Sequence, residues 1–193
     1  MVGVFAGAIA AVGLAAFVST SGRTVHTTPI VRRVAQSSTT STVPTTTTTT
    51  RPAMNPLLPP VPAGTGVGRR IVYCNSCQRV WLVADHDYAE TSYLVSGRRG
   101  TPSPGTYQVH RKLEVGRAKS NPSLRLPYFV GFAYGSTTDI GFHGIPLRSD
   151  GSPIESDAAL GQPLSHGCVR ENQAQAKLLY DWTPVGSTVV VTP

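Results

Sequence analysis

The chain has 193 residues and a formal net charge of +7, with 17 lysines and arginines against 10 acidic residues. That length suits one ordinary domain with tails. The basic residues form no cluster with interleaved aromatic side chains, so the sequence predicts no nucleic-acid partner. All ten acidic residues lie at or beyond Asp85, so part of the excess positive charge belongs to the N-terminal tail. Weak attraction to an anionic surface, such as a membrane or a cell wall, is the milder implication.

The chain begins with an apolar segment. Residues 2–18 carry no charge and are mostly apolar, a length at the lower edge of a membrane span and above the usual apolar core of a signal peptide. No lysine or arginine precedes this run, and no clean Ala-x-Ala site follows it. We therefore expect residues 1–22 to direct export to the cell envelope, as a cleaved signal that yields a secreted protein or as a retained membrane anchor. A buried helix is less favoured, because a threonine tract follows.

A low-complexity segment comes next. Residues 37–50 are nearly all threonine and serine, and proline-rich sequence continues to Pro62. Such a composition cannot bury enough apolar surface to offset the entropy lost on ordering. The sequence therefore predicts a disordered spacer over residues 23–68, which would hold a domain away from a membrane.

The globular domain is predicted to span residues 69–193 and to consist mainly of β-strands. Apolar and β-branched runs predict strands at 69–73, 79–84, 91–96, 106–109, 139–144 and 187–191, with a half-buried apolar run at 126–132. Residues 85–87 are predicted to form a turn and residues 97–105 a loop. The long Gly-, Pro-, Ser- and Asp-rich stretch between His143 and Ser165 indicates a functional loop or lid.

One amphipathic helix is predicted after residue 171. Asn172 suits the N-cap position, with Gln175 three residues later as in a capping box. An apolar stripe is expected at Ala174, Leu178 and Trp182, widened by Leu179. Pro184 and Gly186 then end the helix. The predicted fold is therefore mainly β, with this helix docked on it.

The three cysteines divide into a close pair and a single residue. Cys74 and Cys77 form a Cys-x-x-Cys at a turn between two predicted strands, for which a local disulfide is favoured over a redox motif or a zinc site. Cys168 is then the free thiol. It has His166 two residues before it, and Gly167 lets backbone N–H groups approach a substrate oxyanion. It also precedes the predicted helix, whose dipole would lower the thiol pKa. A catalytic role is favoured over a small buried hydrophobe.

The run Ser-His-Gly-Cys-Val-Arg at 165–170, followed by Leu179 and Tyr180, resembles the signature of the L,D-transpeptidase (YkuD-type) catalytic domain. The upstream pair His143-Gly144 is similar to the second conserved motif of that family, a His-Gly pair that precedes the cysteine motif. Weaker similarities lie at 101–107 and 126–129. The resemblance covers about residues 69–193. It implies a YkuD-like β-sandwich and an exported enzyme that cross-links peptidoglycan stem peptides without a cofactor or a metal.

The resemblance also implies a role for each motif residue. The thiolate of Cys168 would attack a tetrapeptide stem at the carbonyl before its terminal D-alanine, and His143 would transfer the protons. An amine of an acceptor stem would then take the acyl group and form a 3→3 cross-link. The backbone of Gly144 would orient His143, and His166 and Gly167 would shape the oxyanion pocket. Ser165 would support the histidines, and Arg170 would bind a substrate carboxylate.

Two other functions stay open from the sequence. A zinc-dependent cell-wall hydrolase would use His143, His166 and Cys168 as ligands, which are residue types that can bind zinc with one open position. A non-catalytic wall-binding module would carry a degenerate site, although the intact motif argues against it. The acceptor, which is a stem peptide, another protein or water, is also left open.

Overall fold

The computed structural model describes residues 57–193, in which nine strands and one α-helix form the fold. The strands are β1 Arg70–Cys74, β2 Arg79–Val83, β3 Ala89–Leu94, β4 Gly105–Gln108, β5 Arg111–Arg117, β6 Arg125–Tyr134, β7 Asp139–Gly144, β8 Val169–Glu171 and β9 Thr188–Thr192; the helix is α1 Gln173–Trp182. The expected mainly β fold is confirmed. The predicted export segment 1–22 lies outside the described residues, as does the spacer up to residue 56. No helix of the part from 57 to 193 is long and apolar enough to span a membrane.

The strands form two sheets that share one core. One sheet has the order β3-β2-β1-β9-β4, and the other has the order β5-β6-β7-β8. β1 pairs with β9 and β7 pairs with β8 in parallel, while the other pairs are antiparallel. Because side chains alternate along a strand, one set from each sheet meets in the core. These residues include Ile71, Tyr73, Leu82, Val130, Phe142, Val169 and Val189.

The outer face of the five-stranded sheet is covered by residues that were assigned to the spacer. Leu58 and Val61 pack against an apolar cluster on that face, which contains Val72, Cys74, Trp81, Val83 and Ala89. Trp81 Nε1 also donates a hydrogen bond to the carbonyl of Pro59 (2.8 Å). The prediction that the spacer extends to residue 68 is therefore wrong for residues 57–68. Leu58 and Val61 bury apolar side chains of the sheet, and Pro59 accepts the hydrogen bond of the Trp81 indole.

The helix has the predicted cap but buries a different face. Asn172 Oδ1 accepts a hydrogen bond from the amide of Ala174 (2.9 Å), as an N-cap residue should. The buried side chains of the helix are Ala176 and Leu179, whereas Leu178 is 46% exposed. The predicted stripe through Ala174 and Leu178 is therefore wrong. The helix packs on β6 and β7 through the face centred on Leu179.

Candidate active site

The pairing of β7 with β8 places three motif residues on one face of the four-stranded sheet. His143 lies opposite Arg170, and Phe142 lies opposite Val169. Because in-register partners of parallel strands point to the same side, His143 and Arg170 share the face away from the core, and alternation brings Cys168 to that face as well. All three line an open cavity of about 940 Å³, together with Ser165, His166 and Gly167.

The nucleophile candidate, Cys168, is a neutral thiol in this site. Its Sγ lies 3.7 Å from the carbonyl oxygen of Asp139, to which it donates. Burial raises the pKa of the Cys168 thiol above its ordinary value, and the charge of Asp139 adds to this; a backbone hydrogen bond at Gly141 and the charge of Arg170 oppose it. The Cys168 thiol is therefore protonated near neutral pH.

The predicted helix-dipole effect on Cys168 is wrong. Strand β8, Val169–Glu171, lies between the cysteine and the first residue of the helix, Gln173. The dipole of a helix acts within about one turn of its end. The helix N-terminus is therefore not what tunes this thiol.

The imidazole of His143 is held in one orientation by the backbone. The side chain is 3% exposed, and Nδ1 lies 2.7 Å from the carbonyl oxygen of Gly144. Nδ1 must carry the proton to donate to that carbonyl, which leaves Nε2 unprotonated and able to act as a base. Burial lowers the pKa of His143 to about 4, helped by the charge of Arg170 and opposed by the Gly144 hydrogen bond. The ring of Phe129 stacks on the imidazole at 6.3 Å.

Gly144 lies in close contact with a side chain of the helix. A Cβ atom at this position would lie 2.1 Å from Oε1 of Gln173, the first residue of α1. The Gln173 side chain is itself fixed, because its Nε2 donates to the carbonyl of Ile145 (2.7 Å). The glycine therefore lets the strand that carries His143 pass directly beneath the helix N-terminus.

The Ser165 hydroxyl stabilises the nucleophile loop, residues 165–168, rather than a histidine. Its Oγ donates to the carbonyl of Cys168 (2.5 Å) and accepts from the amide of Gly167 (3.2 Å). Both bonds close the turn before the nucleophile. The structure therefore places Ser165 differently from the predicted support of the histidines, and it turns the Gly167 amide toward Ser165.

Arg170 is buried and ion-paired. Its Nη1 lies 2.6 Å from Oε2 of Glu155, with side-chain exposures of 10% and 12%. Glu155 belongs to the long loop between His143 and Ser165, so the pair ties that loop to β8. Arg170 lies in strand β8. Another cation of the cavity lining is the exposed Arg98, whose Nη1 lies 3.4 Å from the carbonyl oxygen of His166.

The other two cysteines lie away from the cavity. Cys74 and Cys77 form a disulfide with an S–S distance of 2.22 Å at the turn between β1 and β2, and Cys168 is a free cysteine. Among residues 57–193, no group of three or more His, Cys, Asp and Glu side chains is arranged to hold a metal ion. His143, His166 and Cys168 are thus not placed as a set of zinc ligands.

Several cavity residues were missed by the sequence analysis. Phe129, which belongs to the predicted half-buried run at 126–132, lines the cavity beside His143. Asp139 and Arg111 form an ion pair (2.7 Å) on the same wall. Asp139 is four residues before His143 in the same strand, so strand alternation was a usable signal for it. Arg111 comes from β5, which had not been predicted.

Comparison with known proteins gives a consistent family assignment. The model of the YkuD L,D-transpeptidase catalytic domain matches residues 68–191, whereas no curated protein matches the chain.

Similar solved structures include an L,D-transpeptidase from Mycobacterium smegmatis, at 21% identity and a TM-score of 0.52, covering 66% of this chain and 60% of that one. One from Xylanimonas cellulosilytica has 20% identity, a TM-score of 0.53 and coverages of 70% and 65%. L,D-transpeptidase 3 from Mycobacterium tuberculosis, in complex with a faropenem-derived adduct, has 20% identity, a TM-score of 0.51 and coverages of 66% and 61%. At these identities the likeness shows the fold. This chain spans less than two thirds of each of these chains.

Proposed function

This chain belongs to the YkuD family of L,D-transpeptidase catalytic domains, and we propose that it is an exported cysteine acyltransferase that cross-links peptidoglycan stem peptides. The observation that carries the proposal is the placement of His143 on β7 and of Cys168 directly before the adjacent parallel strand β8, on one face and in one open cavity. A thiol and a base within reach of each other, with the base oriented by a third group, are the elements of nucleophilic catalysis.

The first half-reaction forms the acyl-enzyme. The Cys168 thiol passes its proton to Nε2 of His143 as Sγ bonds to the carbonyl carbon before the terminal D-alanine of a tetrapeptide stem. The resulting oxyanion accepts from the amide of Cys168, since the Gly167 amide is directed to Ser165. The C–N bond then breaks, His143 returns the proton to the leaving amine, and D-alanine departs with its amino group restored.

The second half-reaction resolves the thioester. An acceptor amine gives its proton to His143 as its nitrogen bonds to the acyl carbon, and the C–S bond breaks. The proton then passes to the leaving sulfur, which restores the neutral thiol and leaves an amide cross-link. With a stem side-chain amine as acceptor, the product is the 3→3 link; with water, the same intermediate is hydrolysed.

The two pKa values favour proton transfer during the reaction rather than before it. Burial holds the pKa of His143 at about 4 and raises the pKa of the Cys168 thiol. The imidazolium is therefore formed only transiently and releases its proton readily to the leaving amine. Arg170 contributes a fixed positive charge that favours the thiolate and disfavours the imidazolium.

Among the cations that line the cavity, Arg170 and Arg98 lie next to the nucleophile loop and are candidates for binding a substrate carboxylate. Arg170 lines the cavity, but Glu155 already occupies its guanidinium. A substrate carboxylate would have to share or replace that partner. Arg98 is exposed beside the nucleophile loop, so it is open to a carboxylate without breaking an ion pair. We infer that Arg98 makes the first contact.

Mass spectrometry of the protein with a tetrapeptide stem tests the reaction. We expect a tripeptide acyl adduct on Cys168 and release of D-alanine, with no adduct on Cys168→Ala. His143→Ala should be acylated at least about 100-fold more slowly, the loss expected for a general base. Cross-linked product formed at the normal rate by folded Cys168→Ala would contradict the proposal.

Export is proposed from residues 1–22 alone. Fusion of these residues to a reporter that is active only outside the cytoplasm tests it. An active reporter is expected, and separation of membrane from soluble extracellular fractions then distinguishes a retained anchor from a cleaved signal. A reporter that stays inactive would contradict export by this segment.

A further inference from the structure

The turn between β1 and β2, which the proposed reaction does not use, contains two buried amides. Asn75 and Gln78 flank Cys77 and are 5% and 1% exposed, although both are polar. Buried amides of this kind are found where their hydrogen bonds are satisfied. Their partners therefore indicate what the turn is for.

Both side chains bind the backbone of one loop, residues 96–101. Asn75 Nδ2 donates to the carbonyls of Arg98 (2.9 Å) and Thr101 (3.1 Å), and its Oδ1 accepts from the amide of Gly100 (2.7 Å). Gln78 Oε1 accepts from the amide of Gly97 (2.5 Å). Four backbone groups of this loop are thus held by two side chains.

The Gln78 amide is fixed in turn. Its Nε2 donates to the carbonyl of Asn75 (2.5 Å) and to the hydroxyl of Tyr73 (3.3 Å). That hydroxyl lies so close to Gly97 that a Cβ there would be 2.0 Å from it. The loop therefore lies directly on the β1–β2 turn, with no room for a side chain between them.

The same loop contacts the nucleophile loop on its other side. Ser96 exchanges two backbone hydrogen bonds with Arg170 (2.8 and 2.9 Å), and the amide of Ser165 donates to the carbonyl of Gly97 (3.0 Å). Arg98 reaches the carbonyl of His166. Loop 96–101 thus binds residues on both sides of Cys168.

We propose that Asn75 and Gln78 are positioning residues that set the place of Cys168 through loop 96–101, and that the Cys74–Cys77 disulfide keeps their turn closed for this purpose. Asn75 hydrogen-bonds across this four-residue turn to the loop, while Ser76 points elsewhere, to the carbonyl of Pro193 (2.8 Å). The proposal deepens the proposed function and rests on it for the catalytic readout.

The proposal predicts an unusual combination of effects. Without the Asn75 or Gln78 side chain, backbone groups of loop 96–101 lose their partners, and the nucleophile loop loses its support. Cys168 then becomes better solvated. Because burial is what raises the pKa of the Cys168 thiol, that pKa should fall toward its ordinary value. The thiol becomes more reactive to a small reagent while the enzyme becomes slower.

The effect of the turn on the Cys168 thiol is tested with three variants: Asn75→Ala, Gln78→Ala and the double variant Cys74→Ser/Cys77→Ser. Ser76→Ala is a matched control in the same turn. Iodoacetamide alkylation of Cys168 is measured against pH in the full chain, at a temperature where circular dichroism shows each variant folded. We expect the midpoint to move to lower pH in the three test variants, with alkylation at pH 7 at least threefold faster. Ser76→Ala should match the wild type.

Steady-state kinetics with the tetrapeptide stem complete the test. The kcat of Asn75→Ala and Gln78→Ala should fall at least tenfold, since the loop positions the nucleophile, and KM should rise as well in Asn75→Ala, because Asn75 holds the backbone of Arg98. Unchanged alkylation profiles in folded variants would overturn the proposal. Alkylation needs no substrate, so an inactive wild type would refute the proposed function while leaving this readout intact. If one alanine variant does not fold, the other and the Cys74→Ser/Cys77→Ser variant provide the same comparison.

Discussion

At Cys168 two influences compete for the thiol proton. Arg170 and a backbone hydrogen bond at Gly141 favour the thiolate, whereas burial favours the neutral thiol and is the larger effect. A reactive cysteine usually lies in an electropositive, partly exposed place where its pKa is lowered. Cys168 is partly exposed and lies near the charge of Arg170, but desolvation still outweighs that charge. The proposed activation therefore depends on His143 as the base.

The pH dependence of alkylation follows from this balance. The rate of Cys168 modification by iodoacetamide should rise through a midpoint above the ordinary thiol value of about 8.5, because burial raises the pKa of the thiol. Mass spectrometry of the protein at a series of pH values measures it. A rate that already reaches its plateau near pH 7 would show a preformed thiolate and contradict the neutral resting state.

Gly144 offers a second test at a single residue. A methyl group at this position would collide with the Gln173 side chain, which lies 2.1 Å from the added carbon. Gly144→Ala should therefore displace the Gln173 side chain from the Ile145 carbonyl, which costs about 1 kcal/mol for the lost hydrogen bond, and lower kcat, since the Gly144 carbonyl orients His143. Urea unfolding and steady-state kinetics measure the two effects.

The Gly144→Ala/Gln173→Ala double variant is the control for that steric argument. Removing the Gln173 side chain removes the collision, so the double variant should be more stable than the sum of the single changes predicts. Strict additivity of the two free energies of unfolding would rule out a clash between these residues as the cause.

Among the secondary-structure elements, β8 does most to assemble the site. It is only three residues long, yet its parallel pairing with β7 places Arg170 beside His143, and Cys168 immediately precedes it. The long loop before it is fixed by the Arg170–Glu155 pair. The ion pair therefore joins the loop that precedes Cys168 to strand β8, which begins directly after Cys168.

Glu155→Gln tests the contribution of the Arg170–Glu155 ion pair. Removing one partner of a buried ion pair leaves a buried charge uncompensated, which costs on the order of 3–5 kcal/mol. We expect a lower urea midpoint and increased proteolysis within residues 145–164. Asp181→Asn, which breaks the exposed pair with Lys177, is the control and should change the free energy of unfolding by less than about 1 kcal/mol. Equal losses in both variants would contradict the structural role of Glu155.

The sequence predicts a strand or helix well when most of its side chains are buried, because its residues are then mainly apolar. β1, β2 and β9 were predicted to within about one residue at each end, because their apolar β-branched residues are fully or nearly buried. β5 was missed, because it is an edge strand whose sequence, RKLEVGR, is mostly exposed. The face of α1 was misassigned because alanine and leucine occur on several sides of it, and only the packing on β6 and β7 selects one.

The residues of the candidate site likewise fall into those that the sequence predicts and those that only the fold brings together. The motif residues Cys168 and His143 were recognisable from local sequence and a family resemblance. Glu155, Phe129 and Arg98 were not, because their roles depend on partners that are close only in the fold. The pKa of Cys168 was predicted in the wrong direction, since the intervening strand β8 was not anticipated.

At the scale of the whole molecule, a buried carboxyl group joins the two sheets. Glu171 of β8 is fully buried and accepts a hydrogen bond from the hydroxyl of Tyr93 in β3 (2.9 Å). Its Oε2 has no hydrogen-bond partner among the residues that the structure describes. Burial raises the pKa of Glu171 to about 8, although the Tyr93 hydrogen bond lowers it. The sheets are therefore joined by a carboxyl group that is neutral below about pH 8.

This linkage gives the fold a pH dependence of definite sign. In the unfolded chain the same carboxyl titrates near its ordinary value of 4.5. The folded protein therefore binds one more proton than the unfolded chain between about pH 4.5 and 8, so the contribution of Glu171 to stability is complete below that window and falls as the pH rises through it. Glu171→Gln cannot ionise. We expect urea unfolding to show the wild type losing a few kcal/mol more than this variant between pH 5 and 8, because the other groups titrate alike in both. Parallel pH profiles for the two proteins would mean that Glu171 is ionised in the folded state and that the two sheets meet around a buried charge.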